Sequence, residues 1–355
     1  MTAAWTWLTP AVSSALLVVA IAAGATPPLA ALCGIGLIGA VIAAVHHAEV
    51  IAHRVGEPFG TLVLAVAVTV IEASLILSMM LAGGEDMAVL TRDTIYAAVM
   101  IICAGVVGLC ILVGGLAHHE QSFRVEGAGA GLAALIVMSA LTLVLPIFTT
   151  STPGGTYSPA QLGFVAVTSA ALWAIFVFIQ TVRHRDYFIP AADAADPIHA
   201  TPPTATAAWA SFGLLVVSLV TVVGLAKVLS PTIESAVAAA GAPRAVVGIV
   251  IAGLVLLPEG WAATRAARRN RLQTSMNLAI GSALASIGLT IPVVAMASLA
   301  FHLPLVLGLD PKGLVLLAVT FLVSAITLGT GRTHMMQGAV HLVIFAAFLF
   351  LAMVP

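Results

Sequence analysis

Two glutamates stand inside long apolar stretches, where a charged side chain is costly. Glu72 lies in LVLAVAVTVIEASLILSMML and Glu259 in VVGIVIAGLVLLPEGWAA, whereas the other twelve acidic residues fall in loops or at the ends of such stretches. An acid at membrane depth generally faces a cavity and has a function. One such residue alone could instead be a protonated structural group bonded to a neighbouring helix. Two of them predict a membrane-embedded site for cations or protons.

Several neighbouring residues could complete such a site. Pro258 immediately precedes the second glutamate and cannot donate to the preceding turn, so it predicts a helix break. A hard cation takes oxygen ligands, and a broken helix supplies backbone carbonyls beside the carboxylate. The segment GSALASIG (281–288) places Ser282 and Ser286 on one helix face. Thr69 lies one turn before the first glutamate, although its hydroxyl could bond to its own helix instead.

The composition defines the kind of protein that holds these residues. Of 355 residues, 13 are Lys or Arg and 14 are Asp or Glu, against 61% hydrophobic residues. That excludes an ordinary soluble domain, and a net charge of -1 without a long basic block argues against nucleic-acid binding. The three cysteines lie in apolar stretches and indicate neither a disulfide framework nor a metal cluster. The chain is therefore predicted to be an all-α polytopic membrane protein.

About eleven stretches are long and apolar enough to cross a bilayer as helices. They lie near residues 8–24, 29–45, 59–82, 94–116, 127–149, 160–182, 208–229, 245–263, 275–300, 312–328 and 336–354. The first is kept as a span because no basic segment of a secretory signal precedes it.

A hydrophilic segment at 183–207 divides the chain into two halves. One extra span and five others precede it, and five follow it. Because five is odd, a second five-helix unit enters the membrane from the opposite face, as in inverted-repeat transporters. We therefore predict an extra N-terminal helix, a first repeat, a cytoplasmic linker and a second repeat, at 1–28, 29–182, 183–207 and 208–355.

Matching residues at equal spacing support this duplication. The first half has Glu49, Gly56, Pro58 and later Gly108 and Gly115; the second half has Glu234, Gly241, Pro243 and later Gly281 and Gly288. Glu72 and Glu259 lie between the two parts of this pattern, at equivalent places in the two halves.

The cationic residues predict the orientation, since Lys and Arg accumulate on the cytoplasmic side. A cytoplasmic N-terminus places nine of them inside: Arg54, Arg124, Arg183, Arg185, Arg265, Arg268, Arg269, Arg271 and Arg332. Arg92, Lys227, Arg244 and Lys312 then lie outside, with the C-terminus. The cluster at 263–271 is interpreted as a topology anchor, with a site for lipid headgroups as the alternative.

Three segments of the chain resemble a known family. HHAEVIAHRVGEPFGTLVLAVAVTVIEASLI, LPEGWAATRAARRNRLQTSMNLAIGSALASIGLTIPVV and TGRTHMMQGAVHLVIFAAFLF resemble the ChaA-type calcium (and sodium) proton antiporters of the calcium/cation antiporter superfamily. The resemblance implies ten core helices in two inverted repeats, each with one embedded glutamate that alternately binds cation and proton. By position these are Glu72 and Glu259. Gly281, Ser282 and Ser286 match the Gly-Ser stretch of the superfamily.

The two repeats differ in the residues that flank the glutamates. The first has Ala104, Leu109 and Val113 where the second has Asn277, Ser282 and Ser286. The second repeat is therefore predicted to supply most of the supporting ligands.

The function implied is a secondary antiporter of the cell inner membrane that exports Ca²⁺, with Na⁺ or K⁺ as further ions, against H⁺ by alternating access. Its partners are inorganic cations, protons and the lipid bilayer, and no cofactor is expected. Two alternatives stay open: an intramembrane hydrolase that uses the paired acids, although HExxH and GxSxG are absent, and a passive cation channel. Histidines near span ends, among them His46, His47, His334 and His341, could sense pH or could be interfacial residues without that role.

Overall fold

The chain is almost entirely helical in the computed structural model, as the sequence predicts. The structure describes residues 4–24, 26–55, 59–82, 88–189, 203–241, 243 and 245–354, without the side chains at 59–65, 82, 234, 238 and 258. The predicted Gly56, Pro58 and Arg244 and most of the linker, 190–202, lie outside these residues. The helices are α1 Trp5–Ala23, α2 Pro27–Val55, α3 Phe59–Ala82, α4 Leu90–Met100, α5 Val107–His118, α6 Val125–Ser139, α7 Leu145–Phe148, α8 Pro159–Phe178, α9 Ala205–Ala239, α10 Ala245–Arg268, α11 Leu272–Phe301, α12 Pro311–Leu328 and α13 Met335–Met353.

Three helical runs contain a π-helical turn. The first turn, Ile101–Val106, joins α4 to α5; the second, Ala140–Val144, joins α6 to α7; the third, Ile179–Arg183, extends α8 and precedes a short 3₁₀ turn at Arg185–Tyr187. Counting α4–α5, α6–α7 and α8 with its π-turn as continuous runs, all eleven predicted apolar stretches lie within helices to within one residue at their ends. Hydropathy could not reveal these turns, because one extra residue in a helix changes no composition.

Within the described residues, nine helices are long and apolar enough to span a membrane, and ten if the bent α10 counts as one span. The described part of α3 contributes the shorter apolar stretch Val66–Leu81. The polytopic fold is thus confirmed, and the count of eleven spans stays a prediction.

Two helices extend well beyond their apolar stretches. α2 continues to Val55 and so includes the histidines that follow residue 45, and α9 continues to Ala239 with Pro231 inside it. Both extensions contain polar or charged residues, and a hydropathy window ends where such residues begin even when the backbone hydrogen bonds continue. The predicted spans therefore underestimate these helices by about two to three turns.

The helices group into two compact units. Unit 1 comprises residues 1–83 and 198–247, and unit 2 comprises 84–197 and 248–355. Each unit takes helices from both predicted repeats: α1, α2, α3 and α9 form unit 1, and most of the others form unit 2. The compact units therefore do not coincide with the repeats, whose boundaries stay a proposal.

In unit 1, α1 runs antiparallel to α2. Ser13 Oγ donates to the Gly36 carbonyl at 2.8 Å, and His47 Nε2 lies 2.9 Å from the Thr6 carbonyl. Residues with higher numbers in α1 therefore contact residues with lower numbers in α2, as expected for antiparallel helices.

The same helix α1 runs parallel to α9. Ser14 Oγ lies 2.7 Å from Thr221 Oγ1, and one turn on, Leu17 packs over Gly224. It follows that α2 and α9, the first helices of the two predicted repeats, have opposite directions, as inverted repeats require.

In unit 2, α6–α7 and α12 are the fourth helices of the two predicted repeats, and they too have opposite directions. The Phe123 N–H, just before α6, donates to the Gly331 carbonyl just after α12, at 3.0 Å. At the other end, the Leu309 N–H donates to the Leu143 carbonyl at 3.0 Å. The start of one helix therefore lies beside the end of the other.

A small antiparallel β-ladder lies at one end of unit 2. β1 (Glu120–Ser122) pairs with β2 (Arg332–His334), and Arg332 Nη1 lies 3.3 Å from Glu120 Oε1. The all-α prediction missed it, because three residues are too few for a strand periodicity. The ladder ties the loop before α6 to the loop before α13.

Candidate functional site

Glu72 lies at a buried position of α3 in unit 1. Its exposed fraction is 3%, and that of Thr69, one turn earlier, is 4%. The two residues are three apart and share one helix face. Ile71 and Leu75 beside them are also buried. The structure thus places a carboxyl group and a hydroxyl group side by side among apolar side chains.

Glu259 lies at a sharp bend of α10. The halves Ala245–Leu257 and Glu259–Arg268 meet at an angle of 53°. The bend falls at the predicted break, although the side chain of Pro258 is outside the described residues. Kinks of this size free backbone carbonyls from the helical hydrogen-bond ladder. Glu259 is half-buried and is the first residue after the bend. Its carboxyl group is therefore close to backbone oxygens that a ligand could use.

The half of α10 that follows the bend is fixed to its neighbours along one face. A Cβ at Gly260 would stand 3.2 Å from Val106 Cγ2. Ser275 Oγ of α11 donates to the Ala263 carbonyl at 2.7 Å, and one turn on, Gln121 Nε2 of β1 donates to the Ala267 carbonyl at 2.9 Å. Positions 260, 263 and 267 share one face of a helix. Glu259 therefore borders a face that is anchored within unit 2.

The Gly-Ser segment of α11 has one open and one tightly packed glycine. A Cβ at Gly281 would meet no described atom within 4 Å, whereas at Gly288 it would overlap Trp173 and Met138. Ser282, next to the open glycine, is half-buried, and Ser286 is 2% exposed. The middle of α11 therefore offers two hydroxyls close to a place where no side chain packs.

Asn277 has a different surrounding from the two serines. Its Nδ2 donates to the Phe188 carbonyl at 2.6 Å, and its Oδ1 accepts from Gln273 Nε2 at 2.9 Å. Gln273 Oε1 in turn accepts from the Arg124 N–H at 2.6 Å. This chain of amides joins α11 to the start of α6 and to the start of the linker. The geometry gives Asn277 a structural role, and its role as a cation ligand stays a prediction.

The first π-turn provides a feature that the sequence analysis missed. The carbonyl of Cys103 accepts a hydrogen bond from His341, 238 residues away, with 2.8 Å between O and Nδ1. No local pattern in the sequence links these two positions. Among the described residues, no group of three or more His, Cys, Asp or Glu could hold a metal ion.

The sequence as a whole matches a known family over both halves. The family described as sodium/calcium exchanger protein matches residues 27–182 and 210–354. The chain belongs to the sodium/calcium exchanger family. The two matched ranges lie on either side of the polar segment that divides the chain.

Similar proteins cover nearly the same length. A putative ionic transporter, y4hA of Sinorhizobium fredii, is 53% identical over 90% of this chain and 87% of its own length. The sodium-potassium/proton antiporter ChaA of Escherichia coli is 36% identical over 89% of this chain and 86% of its own length. The Ca²⁺/H⁺ antiporter of Aphanothece halophytica is 24% identical over 74% of this chain and 75% of its own length.

Two solved structures share the fold. Native YfkE superposes with a TM-score of 0.74 at 18% identity, over 99% of this chain and all of its own. The H⁺/Ca²⁺ exchanger CAX has a TM-score of 0.74 at 16% identity, over 97% of this chain and 88% of its own. Together with the family match, they confirm the predicted resemblance and the polytopic helical class. As an exchanger-family member the chain is a transporter and not an enzyme, so the hydrolase alternative is wrong, and ions are its cargo and not resident cofactors.

Proposed function

We propose that this protein exchanges Ca²⁺, with Na⁺ or K⁺ as further candidate cargo, for H⁺ across the bacterial inner membrane. Its relatives include proteins named as sodium-potassium/proton and Ca²⁺/H⁺ antiporters. The observation that carries the proposal is the placement of the two glutamates. Glu72 is almost fully buried in an apolar helix, and Glu259 stands at the bend of α10.

Charge accounts for why such a pair would couple cation to proton. Two carboxylates can be neutralised by one divalent ion or by two protons, and either ligand removes the charge that attracts the other. An empty and doubly charged site is costly within a membrane. Alternating access with one or the other ligand bound would then give obligatory exchange.

The supporting ligands are proposed to be asymmetric. Unit 2 offers Ser282 and Ser286 on one face of α11, whereas unit 1 offers Thr69 beside Glu72. The first repeat has leucine and valine in place of the two serines. Pro258 is proposed to break α10 so that its carbonyls can contribute, and Asn277 is retained as a supporting cation ligand.

Ser282→Ala is expected to raise the half-saturating cation concentration roughly threefold to tenfold, since one neutral oxygen ligand contributes about 1 kcal/mol. Thr69→Val keeps the side-chain shape and is expected to have a smaller effect. Both variants are compared by cation titration of exchange in vesicles at one pH. Equal effects, or a larger effect of Thr69→Val, would assign the dominant side-chain ligand to α3.

The experiment that tests the function uses inverted membrane vesicles from cells that lack their own exchangers. A pH gradient is established, and Ca²⁺, Na⁺, K⁺ and Mg²⁺ are added one at a time while luminal pH is followed. Exchange predicts a rise of luminal pH on addition of a transported cation, and an uncoupler abolishes the response. A passive channel would instead show cation uptake along its gradient with no proton movement.

The topology proposed has the N-terminus and the 183–207 linker in the cytoplasm and the C-terminus outside. The loop holding Ser122 is then cytoplasmic and the loop holding Ser151 external, and both residues are exposed in the structure. Ser151→Cys is expected to react with a membrane-impermeant maleimide in intact cells, and Ser122→Cys only after permeabilisation. The native Cys33, Cys103 and Cys110 are buried and give a low background. Labelling of Ser122→Cys from outside would invert the orientation.

A further inference from the structure

The first π-turn leaves one backbone carbonyl without its helical donor. In an α-helix the Val107 N–H would bond to the Cys103 carbonyl, but here it bonds to the Ile102 carbonyl, five residues back. After the turn the helix returns to α-helical hydrogen bonds between residues four apart, so the Cys103 oxygen receives no hydrogen bond from its own helix. Cys103 is 3% exposed, and a buried carbonyl needs a donor from elsewhere.

His341 of α13 supplies that donor. Its Nδ1 lies 2.8 Å from the Cys103 oxygen, and its Nε2 lies 3.1 Å from Thr327 Oγ1 of α12. A carbonyl can only accept, so Nδ1 carries the proton. Its ring is completely buried, with an exposed fraction of 0%. Both ring nitrogens are therefore used to tie α13 and α12 to the π-turn.

The ring is also fixed by close helix packing. A Cβ at Gly108 would stand 2.8 Å from His341 Cβ, and one at Gly338 would overlap the Leu112 backbone. Helices α5 and α13 thus approach backbone to backbone on both sides of the histidine. Small residues at helix contacts permit this approach in membranes.

The opposite side of the π-turn contacts α10. Val106, the last residue of the turn, lies against Gly260, and Ile101, the first, lies near Gly253, where a Cβ would stand 4.0 Å from its Cδ1. The two glycines lie on either side of the 53° bend. The turn therefore lies next to α10 on both sides of the bend, and Val106 contacts the residue directly after Glu259.

We infer that His341 is a positioning residue for the exchange site: by holding the Cys103 carbonyl, it fixes the π-turn on which Glu259 and its helix bend are seated. The inference rests on the proposed exchange function for its transport effects, but the placement of Val106 against Gly260 is a property of the fold alone. His341 acts through the turn and need not touch the cation.

The second π-turn provides a matched control in the same unit. There the Leu145 N–H bonds to the Ala140 carbonyl, and the passed-over Leu141 carbonyl accepts from Tyr157 Oη at 2.6 Å. Burial raises the pKa of Tyr157 to about 12, so the hydroxyl keeps its proton at neutral pH. Tyr157→Phe thus removes the donor to a π-turn that packs against α6 and α7, whereas a Cβ at Gly253 or Gly260 of α10 would meet, among the described atoms within 4 Å, only residues of the first π-turn.

The transport test compares His341→Leu, His341→Asn and Tyr157→Phe. Asn can place its amide donor near the position of Nδ1, whereas Leu fills the space without a donor. We expect His341→Leu to raise the half-saturating Ca²⁺ or Na⁺ concentration on the order of tenfold. His341→Asn should stay within about twofold of wild type with an unchanged pH profile, and Tyr157→Phe should lower the melting temperature without changing half-saturation.

Two outcomes of the transport test overturn the inference. Wild-type half-saturation in His341→Leu would show that the bond does not matter for the site. Equal losses in His341→Leu and His341→Asn, with a displaced pH profile in both, would show that the ring acts by its own titration and not by donating to Cys103.

A crosslinking test is independent of transport. In a background with Cys33, Cys103 and Cys110 replaced by Ala, the pair Val106→Cys and Gly260→Cys is expected to form a disulfide on mild oxidation, since their side chains would be in contact. The yield should fall at least about threefold with His341→Leu and recover with His341→Asn. An unchanged disulfide yield in His341→Leu refutes the positioning role. If the wild-type protein shows no cation/proton exchange, only the proposed function is refuted.

Discussion

Glu72→Gln and Glu259→Gln are each expected to reduce exchange about a hundredfold or more. Glutamine keeps the size and polarity of the side chain but can neither neutralise a cation nor carry a transported proton. Removing one partner of a buried charge interaction costs roughly 3–5 kcal/mol, which corresponds to about two to four orders of magnitude. The measurement is the initial rate of cation-driven alkalinisation in inverted vesicles with equal amounts of inserted protein.

Glu126→Gln is the matched control. Glu126 lies in the first turn of α6 and is exposed, so the same chemical change there should leave exchange within about twofold of wild type. Glu72→Asp and Glu259→Asp keep the charge with a shorter reach and should each retain part of the activity. Wild-type rates in a well-inserted Glu72→Gln or Glu259→Gln variant would exclude a shared cation and proton site.

The two glutamates could be found from sequence because burial in a membrane makes an acid conspicuous. A carboxyl group inside an apolar stretch needs a reason to be there, and hydropathy alone locates it. The bend of α10 was predictable for a similar reason, since proline removes one definite hydrogen bond. These inferences depend on one residue and its immediate neighbours along the chain.

The features that the sequence did not reveal depend on register and on distant partners. The bond between His341 and the Cys103 carbonyl needs a π-turn in one helix and close packing of another, neither of which alters a hydropathy plot. Asn277 illustrates the same limit, because its hydrogen-bond partners could not be read from the sequence. Its type and position suggest an oxygen ligand, but the fold places the Phe188 carbonyl and Gln273 within reach of its amide. Residue type predicts what a side chain can bind, and the fold decides what it does bind.

The asymmetry between the repeats has a counterpart in the structure. Where α11 presents Ser282 and Ser286, the equivalent run α4–α5 contains the first π-turn and packs its glycines against α13. Under the proposed mechanism, one repeat would contribute hydroxyls, and the other would contribute a rigid support for α10. A duplicated chain can divide these tasks, because each glutamate needs both ligands and a fixed position.

The apparent cation affinity is expected to increase steeply with pH. Suppose that cation and protons compete for the same carboxylates. As long as the site is mainly protonated, the half-saturating cation concentration then falls about tenfold for each unit of pH increase and for each proton that must leave before the cation binds. Release of one proton predicts about a tenfold change per unit, and release of two predicts up to about a hundredfold. The curve then flattens at high pH, where the site is already deprotonated.

The measurement is the half-saturating Ca²⁺ or Na⁺ concentration across roughly pH 6 to 9, a range that covers the values documented for buried carboxyl groups. If Glu72 and Glu259 share the site as proposed, they titrate as a pair, and the midpoint then belongs to neither residue alone. The limiting slope counts the protons displaced by each cation and so reports the coupling directly. A half-saturation that stays flat over this range, while exchange still consumes the proton gradient, would mean that protons cross by a route separate from the glutamates. His341, buried and bonded on both ring nitrogens, would then change from a positioning residue to the first candidate for that route.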